Sequence, residues 1–258
     1  MASILTEREG PVLRLTLNRP DVRNAFDEEL IAALNAAAVQ ASDDRTLRAV
    51  VLSGNGKTFC AGADIGWMSK AIAYTQRENL RDAEDVARML EKLDTLPVPV
   101  IARVHGAALG GGVGLAAVCD IVIAAEDAKF ALSEVRLGIL PAVVAPYVVR
   151  KIGTSAAREL FLTGARFSAA RAKEVGLVHE VVPANDLDAA VARRLADVLS
   201  AGPKAVSLAK ALIREIAGAN PRDVIGLTTN TLASQRVSDE GQEGLRAFLE
   251  KRKPDWIA

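Results

Sequence analysis

Histidine, cysteine and aromatic residues are scarce in this chain, and each shortage removes a class of function. The two histidines, His105 and His179, have no partner at metal-ligand or triad spacing, so neither a metal site nor a Ser-His-Asp arrangement is expected. The two cysteines, Cys60 and Cys119, build no disulfide framework, and a reducing, cytoplasmic location is expected. Aromatics make up 4% of 258 residues, too few for base-stacking platforms. Lys+Arg and Asp+Glu are both 32, a balance with no bulk attraction for nucleic acid. No apolar run approaches the ~20 residues that span a bilayer, and no basic-then-apolar leader opens the chain, so no membrane partner is expected.

Strand and helix patterns alternate through the first half of the chain. Residues 12–17 read as a strand, Asp27, Glu28 and Glu29 as the acidic first turn of a helix, and 49–53 as a second strand. A glycine-broken loop over 54–66, a helix over 82–93 and strands at 98–104 and 121–124 follow. These strands are too apolar to face water on either side, which predicts an α/β fold with covered sheets. From Ser168 onward helices are expected at 169–175, 186–200, 203–217, 222–235 and 239–250.

Gly110, Gly111 and Gly112 stand between the apolar run 98–104 and the short apolar stretch 113–117. A strand that enters a helix through glycines leaves backbone N–H groups unpaired at the helix start, open to negative charge and to close approach. Two familiar phosphate motifs do not fit. The segment 53–58 has Val51 where a P-loop needs glycine, and 112–117 is followed almost at once by the next strand, too soon for a dinucleotide-binding helix. Glu134 is flanked by apolar residues and turns; it reads as a surface or ion-paired carboxylate, or as a general acid or base if apolar walls enclose it.

Phe59-Cys60-Ala61-Gly62-Ala63-Asp64-Ile65 and His105-Gly106-Ala107-Ala108-Leu109-Gly110-Gly111-Gly112 together resemble the signature blocks of the enoyl-CoA hydratase/isomerase (crotonase) family. The likeness runs from Val12 to Trp256 and takes in Leu17-Asn18-Arg19-Pro20, Asn24-Ala25, Cys119-Asp120 and the closing segment 248–254. It implies a crotonase-like spiral of ββα units over 1–195 carrying an acyl-CoA site. A helical C-terminal region over 196–258 would serve trimerisation and part of the CoA pocket, in a homotrimer or a hexamer made of two trimers.

The resemblance also implies an acyl-CoA thioester substrate, with coenzyme A part of the substrate and no separate cofactor. The N–H groups of Ala63 and Gly111 would hold the thioester oxygen, and Glu134 would be the acid/base. Arg23, Ala25, Ala61, Asp64 and Ile65 would line the CoA and pantetheine path. Lys251 and Arg252 would meet CoA phosphates from a neighbouring subunit. Family hydratases use two glutamates, and the first falls here at Gly114, a departure from that pattern. Hydration of a 2-enoyl-CoA is the expected reaction, with Δ3,Δ2-enoyl-CoA isomerisation by Glu134 the alternative and a non-turning-over acyl-CoA or RNA scaffold the third. Segments 62–68 and 133–143 resemble a bacterial branch called methylglutaconyl-CoA hydratases, acting in leucine or isoprenoid breakdown, whose second substrate carboxylate would need a partner such as Arg136.

Overall fold

Parallel strands covered on both faces need apolar residues at successive positions, and the first half of this chain supplies them. The computed structural model describes residues 2–257. The chain opens on a hairpin, β1 (Ile4–Glu9) antiparallel to β2 (Val12–Leu17). It then winds through four turns, each leaving the main sheet for a second, smaller layer and returning through a helix. After β2, Phe26 makes a single bridge before α1 (Glu28–Asp43). After β3 (Ala49–Gly54), Cys60 does the same before α2 (Ile65–Ala73) and α3 (Gln76–Asp94). β4 (Val100–Val104) leads into β5 (Ala107–Leu109) and α4 (Gly111–Val118). β6 (Ile121–Ala125) leads into β7 (Lys129–Ala131), a 3-10 turn at Glu134–Leu137 and α5 (Ala145–Thr163), which bends at Gly153. β8 (Arg166–Ser168), α6 (Ala169–Glu174) and β9 (Glu180–Val182) close the spiral. Four helices end it: α7 (Leu187–Ser200), α8 (Pro203–Ile216), α9 (Ile225–Val237) and α10 (Asp239–Glu250).

The main sheet runs β1-β2-β3-β4-β6-β9 and is parallel beyond the first hairpin; the small one runs β5-β7-β8. Alternate residues of the central strands feed two cores, as the two-residue period of a strand requires. Val50, Leu52, Val100, Ala102, Val122 and Ala124 pack with α1, α3 and α4. Ala49, Val51, Ile101, Ile123 and Ala125 face Leu187, Ala190, Val191 and Leu195 of α7. The α/β spiral of ββα units is thus observed. The boundary expected at 195/196 falls inside α7, whose Val198 and Leu199 also pack on the sheet.

α8 is held by few contacts to the spiral. Lys210 Nζ donates to Asp120 at 2.7 Å and to Val98 O at 3.1 Å; just ahead of α8, Arg48 holds the end of α7 through the carbonyls of Leu199 and Ala201. The start of α8 has no cap of its own; Glu240 of α10 accepts from the backbone N–H groups of Lys204 and Ala205, both at 2.8 Å. Among the described residues no helix is long and apolar enough to cross a membrane.

Several elements differ from the sequence expectation. β1 was not anticipated, because five of its six residues are exposed and show no apolar alternation. α2 begins inside the stretch expected to be loop, and it buries no residue, so no apolar stripe marks it. α3 starts six residues before the expected 82, at a capping box in which Thr75 and Glu78 satisfy each other's backbone N–H. α5 is not distinguished by sequence, because the apolar run over 143–149 has a length suited to strand or helix.

The loop after β2 is fixed by Asn24, fully buried in a left-handed conformation (φ 56). Its Nδ2 donates to Asn55 O at 2.9 Å and Thr58 O at 2.7 Å, and its Oδ1 accepts from Arg19 N at 2.9 Å. Asn24→Ala strips partners from three backbone groups, and a loss of about 2–4 kcal/mol is expected in urea denaturation, at an unchanged m-value.

Candidate active site

The second layer of the spiral brings two strand-to-helix junctions side by side. Cys60 bridges Ala108 in parallel, with Cys60 N donating to Ala107 O and Leu109 N to Cys60 O. Phe26 bridges Ala63, donating to Gly62 O at 2.6 Å and accepting from Asp64 N at 2.8 Å. In that parallel pairing Phe26 bonds the neighbours of Ala63, so the N–H of Ala63 itself faces away from Phe26. Gly111 is the first residue of α4, where an N–H has no partner within the helix. Among the described residues neither Ala63 N nor Gly111 N donates a hydrogen bond. The Gly62 Cα lies close enough to that junction that a Cβ on it would come within 3.6 Å of Gly111 N. Two free donors, one of them at a helix N-terminus, make a preorganised site for an oxygen that gains negative charge.

Gly110 sets the angle between β5 and α4. Its φ of 51° and ψ of −119° are accessible to glycine. It also sits under the Glu134 carboxylate: a Cβ on Gly110 would lie 2.9 Å from Glu134 Oε1. Glu134 begins the 3-10 turn that follows β7, and Gly138 and Ile139 donate back to its carbonyl oxygen. Its Oε2 is buried and has no hydrogen-bond partner among the described residues. Burial pushes its carboxyl above the ordinary 4.5, with only its own backbone N–H acting the other way. An unpaired carboxylate with a raised pKa beside two free N–H donors is suited to moving a proton next to a developing oxyanion.

Ala63, Gly111 and Glu134 line one cavity of about 440 Å³. Much of its wall is apolar, from Phe26, Trp67, Met68, Ile139, Val143 and Val144. Gly114, one turn into α4, is buried and closed off. A Cβ there would lie 2.1 Å from Val144 Cγ1 and 2.6 Å from Val144 Cβ. The space into which any side chain at 114 would project is therefore occupied by the side chain of Val144 at the start of α5.

The remaining expected residues divide. Ala61 lines the cavity and donates from its N–H to Arg23 O at 3.0 Å. Arg23 is exposed with φ 56, Ala25 is buried, and Ile65 is 84% exposed at the first position of α2. Asp64 is engaged within the chain: it caps α2 through Gly66 N at 2.7 Å and pairs with Arg19 at 3.2 Å. Arg252 is tied to Glu243 at 2.6 and 2.8 Å and to Glu250, and holds the Glu243 carboxyl down to about 2. Lys251 takes the left-handed conformation that ends α10. Arg136 is exposed, donates to Thr163 O at 3.2 Å and is not part of the cavity wall. The histidines are hydrogen-bonded to the fold, His105 Nε2 at 2.9 Å from Gly56 O and His179 Nδ1 accepting from Val122 N.

Sequence reasoning missed Val144 and Asp82 in the cavity wall. Trp67 stood in a segment already singled out for its likeness, but no signal gave its place. Val144 and Asp82 belong to the site only because α5 and α3 fold against it.

Residues 7–258 match the family described as enoyl-CoA hydratase/isomerase. The crystal structure of an enoyl-CoA hydratase from Shewanella pealeana is 40% identical and superposes with a TM-score of 0.95, over 98% of this chain and 96% of that one. Pseudomonas aeruginosa AtuE is also 40% identical, with a TM-score of 0.96 over 99% and 100% of the two chains. The 2,3-dehydroadipyl-CoA hydratase of Escherichia coli is 34% identical over 259 residues, covering 99% of each chain.

The packing of Gly114 on Val144 is testable by a double-mutant cycle. Gly114→Ala is expected to cost about 1–3 kcal/mol through overpacking. Combined with Val144→Ala it should cost less than the two single losses added together, by about 1–3 kcal/mol in denaturant titration.

Proposed function

The chain belongs to the enoyl-CoA hydratase/isomerase family, and on that premise we propose that it adds water to a 2-enoyl-CoA thioester with Glu134 as its single acid and base. The observation that carries the reading is the unpaired Glu134 carboxylate over Gly110, beside the free N–H groups of Ala63 and Gly111. The thioester oxygen accepts from both N–H groups. Glu134 takes a proton from water as the water oxygen bonds to C3, and the double-bond electrons move onto the thioester oxygen. The enolate then collapses, C2 takes the proton back from Glu134, and the carboxylate is restored. Each preorganised N–H donor is worth about 3–4 kcal/mol of barrier in such a hole. One carboxylate serves as base and then as acid, which its raised pKa favours by drawing the two roles toward the working pH.

A second reading, Δ3,Δ2-isomerisation, is favoured by one observation: Val144 fills the place of a second carboxylate, and moving a proton from C4 to C2 needs only Glu134. A branched acyl chain suits the apolar wall. A methylglutaconyl-type substrate would bring a second carboxylate, for which this chain supplies no cation in the cavity among the described residues. Assembly into trimers or hexamers is supported by the apolar side chains that α8–α10 leave in solvent, including Ile213 at 68%, Val237 at 77% and Phe248 at 80% exposure. Light scattering should then give a mass of three or six chains.

Glu134→Gln is expected to lower kcat on crotonyl-CoA about 10²–10⁴-fold. Undiminished hydration in that variant would overturn the assignment of roles. Conversion of 3-hexenoyl-CoA to 2-hexenoyl-CoA with no 3-hydroxyacyl product would assign the isomerase instead. Hydration by the ionised carboxylate gives kcat/KM an acid limb centred above pH 4.5, because the pKa of Glu134 is raised. The same raised pKa favours the protonated form in the folded state. Its contribution to stability is present at low pH and lost as pH rises through the folded pKa. Glu134→Gln, which stays neutral, should therefore melt higher than the native protein at pH 7–8 despite its lowered kcat.

A further inference from the structure

A second cavity, of about 370 Å³, lies between α1 and α3. Glu28, Asn35, Asp85, Arg88 and Lys92 give it a polar wall, and Ile31 also lines it. Trp67 and Asp82 line both this cavity and the acyl cavity, so they form the partition between the two. The partition is held by one hydrogen bond, from Trp67 Nε1 to Asp82 Oδ2 at 3.0 Å, joining α2 to α3. α2 buries no residue and is anchored at its ends, by the Asp64 cap and by Lys70 on Glu28 at 2.8 Å. The indole is thus a plate set across the wall by a side chain of the neighbouring helix.

The charges on the acyl side are of one sign. Asp82 and Glu134 are its ionisable groups, and no Arg, Lys or His lines it among the described residues. Asp82 has no salt-bridge partner among the described residues. Of the cations across the partition, Arg88 pairs with Glu84 and Asp85, and Lys92 lines only the outer cavity. A terminal carboxylate on the acyl group would meet like charge beside an apolar wall, where repulsion is less screened than in bulk water.

We propose that the Trp67–Asp82 pair is the end wall of the acyl pocket, selecting short, uncharged acyl groups and turning away long chains and those ending in a carboxylate. This rests on the acyl-CoA reading of the site and names its substrate class. Trp67 limits length by its bulk, and Asp82 acts twice, by its charge and by holding the indole.

The test is calorimetric binding of saturated CoA thioesters, which needs no turnover. Butyryl-, hexanoyl-, decanoyl- and adipyl-CoA are titrated into the full-length native protein and into Trp67→Ala, Trp67→Phe and Asp82→Asn, each checked for a cooperative thermal transition. Adipyl and hexanoyl groups share a carbon count and differ in the terminal carboxylate. The native protein is expected to prefer hexanoyl-CoA by about tenfold, and Asp82→Asn to narrow that preference by about threefold or more. Trp67→Ala should raise the decanoyl-to-butyryl affinity ratio about tenfold, and Trp67→Phe, which loses the N–H but keeps most of the bulk, about two- to threefold. If Trp67→Ala does not fold, Trp67→Phe and Asp82→Asn carry the test. A native preference near one, or ratios the variants leave unmoved, overturns the proposal. Crotonyl-CoA hydration by the same native preparation separates the two readings. Expected ratios without hydration overturn the chemistry alone, flat ratios with hydration overturn the end wall alone, and absence of any thioester binding overturns both.

Discussion

The structure depends on backbone packed against backbone where successive turns of the spiral meet. Phe26 on Ala63 and Cys60 on Ala108 are single parallel bridges, yet they bring the ends of two turns within contact distance. A side chain would force them apart. A Cβ on Gly112 would lie 2.4 Å from Cys60 O, and one on Gly111 would lie 2.7 Å from Phe26 Cε2. Closeness is what leaves donors over: a chain leaving a bridge for a helix passes through a residue whose N–H belongs to neither. The pair of free N–H groups at Ala63 and Gly111 is a by-product of the way the turns stack, supplied by main chain and insensitive to side-chain motion.

Against that rigid background Glu134 is the group whose environment opposes its charge. Burial favours its neutral form, while the base role proposed for it would require the ionised one. The fold carries this cost on a 3-10 turn between β7 and α5, and among the described residues no Arg or Lys lines the cavity beside it to lower the pKa. The apolar wall facing it is equally specific. At Gly114, α4 and α5 are drawn together, and Val144 takes the space a side chain there would need. Placing a glutamate at 114 alone would therefore drive a side chain into packed valine.

Much of this was readable in the chain. The continuous apolar runs of β3, β4 and β6 announced strands covered on both faces, and the acidic first turn after Asp27 announced α1. The Gly110–Gly112 run announces unpaired donors from its residues alone. What could not be read has a common cause. β1 and α2 contribute almost nothing to the core, so burial left no pattern in their residues. Glu134 taken alone resembles a surface carboxylate, and only the neighbouring glycine junction gives it a role. Asp82 and Val144 owe their places to the approach of helices distant in sequence, which no local pattern encodes.

Glu240 shows what such an approach entails for the order in which the molecule can be completed. α8 begins at Pro203, but the acceptor for its first free N–H groups lies beyond α9, at the start of α10. During synthesis the helix emerges before its own terminator, with its leading amides open to water or to any stray carboxylate. Only when the chain has doubled back through α10 is the end of α8 closed. The C-terminal segment is thus assembled backwards, its last helix finishing an earlier one, and a chain stopped short of Glu240 would leave α8 permanently unfinished.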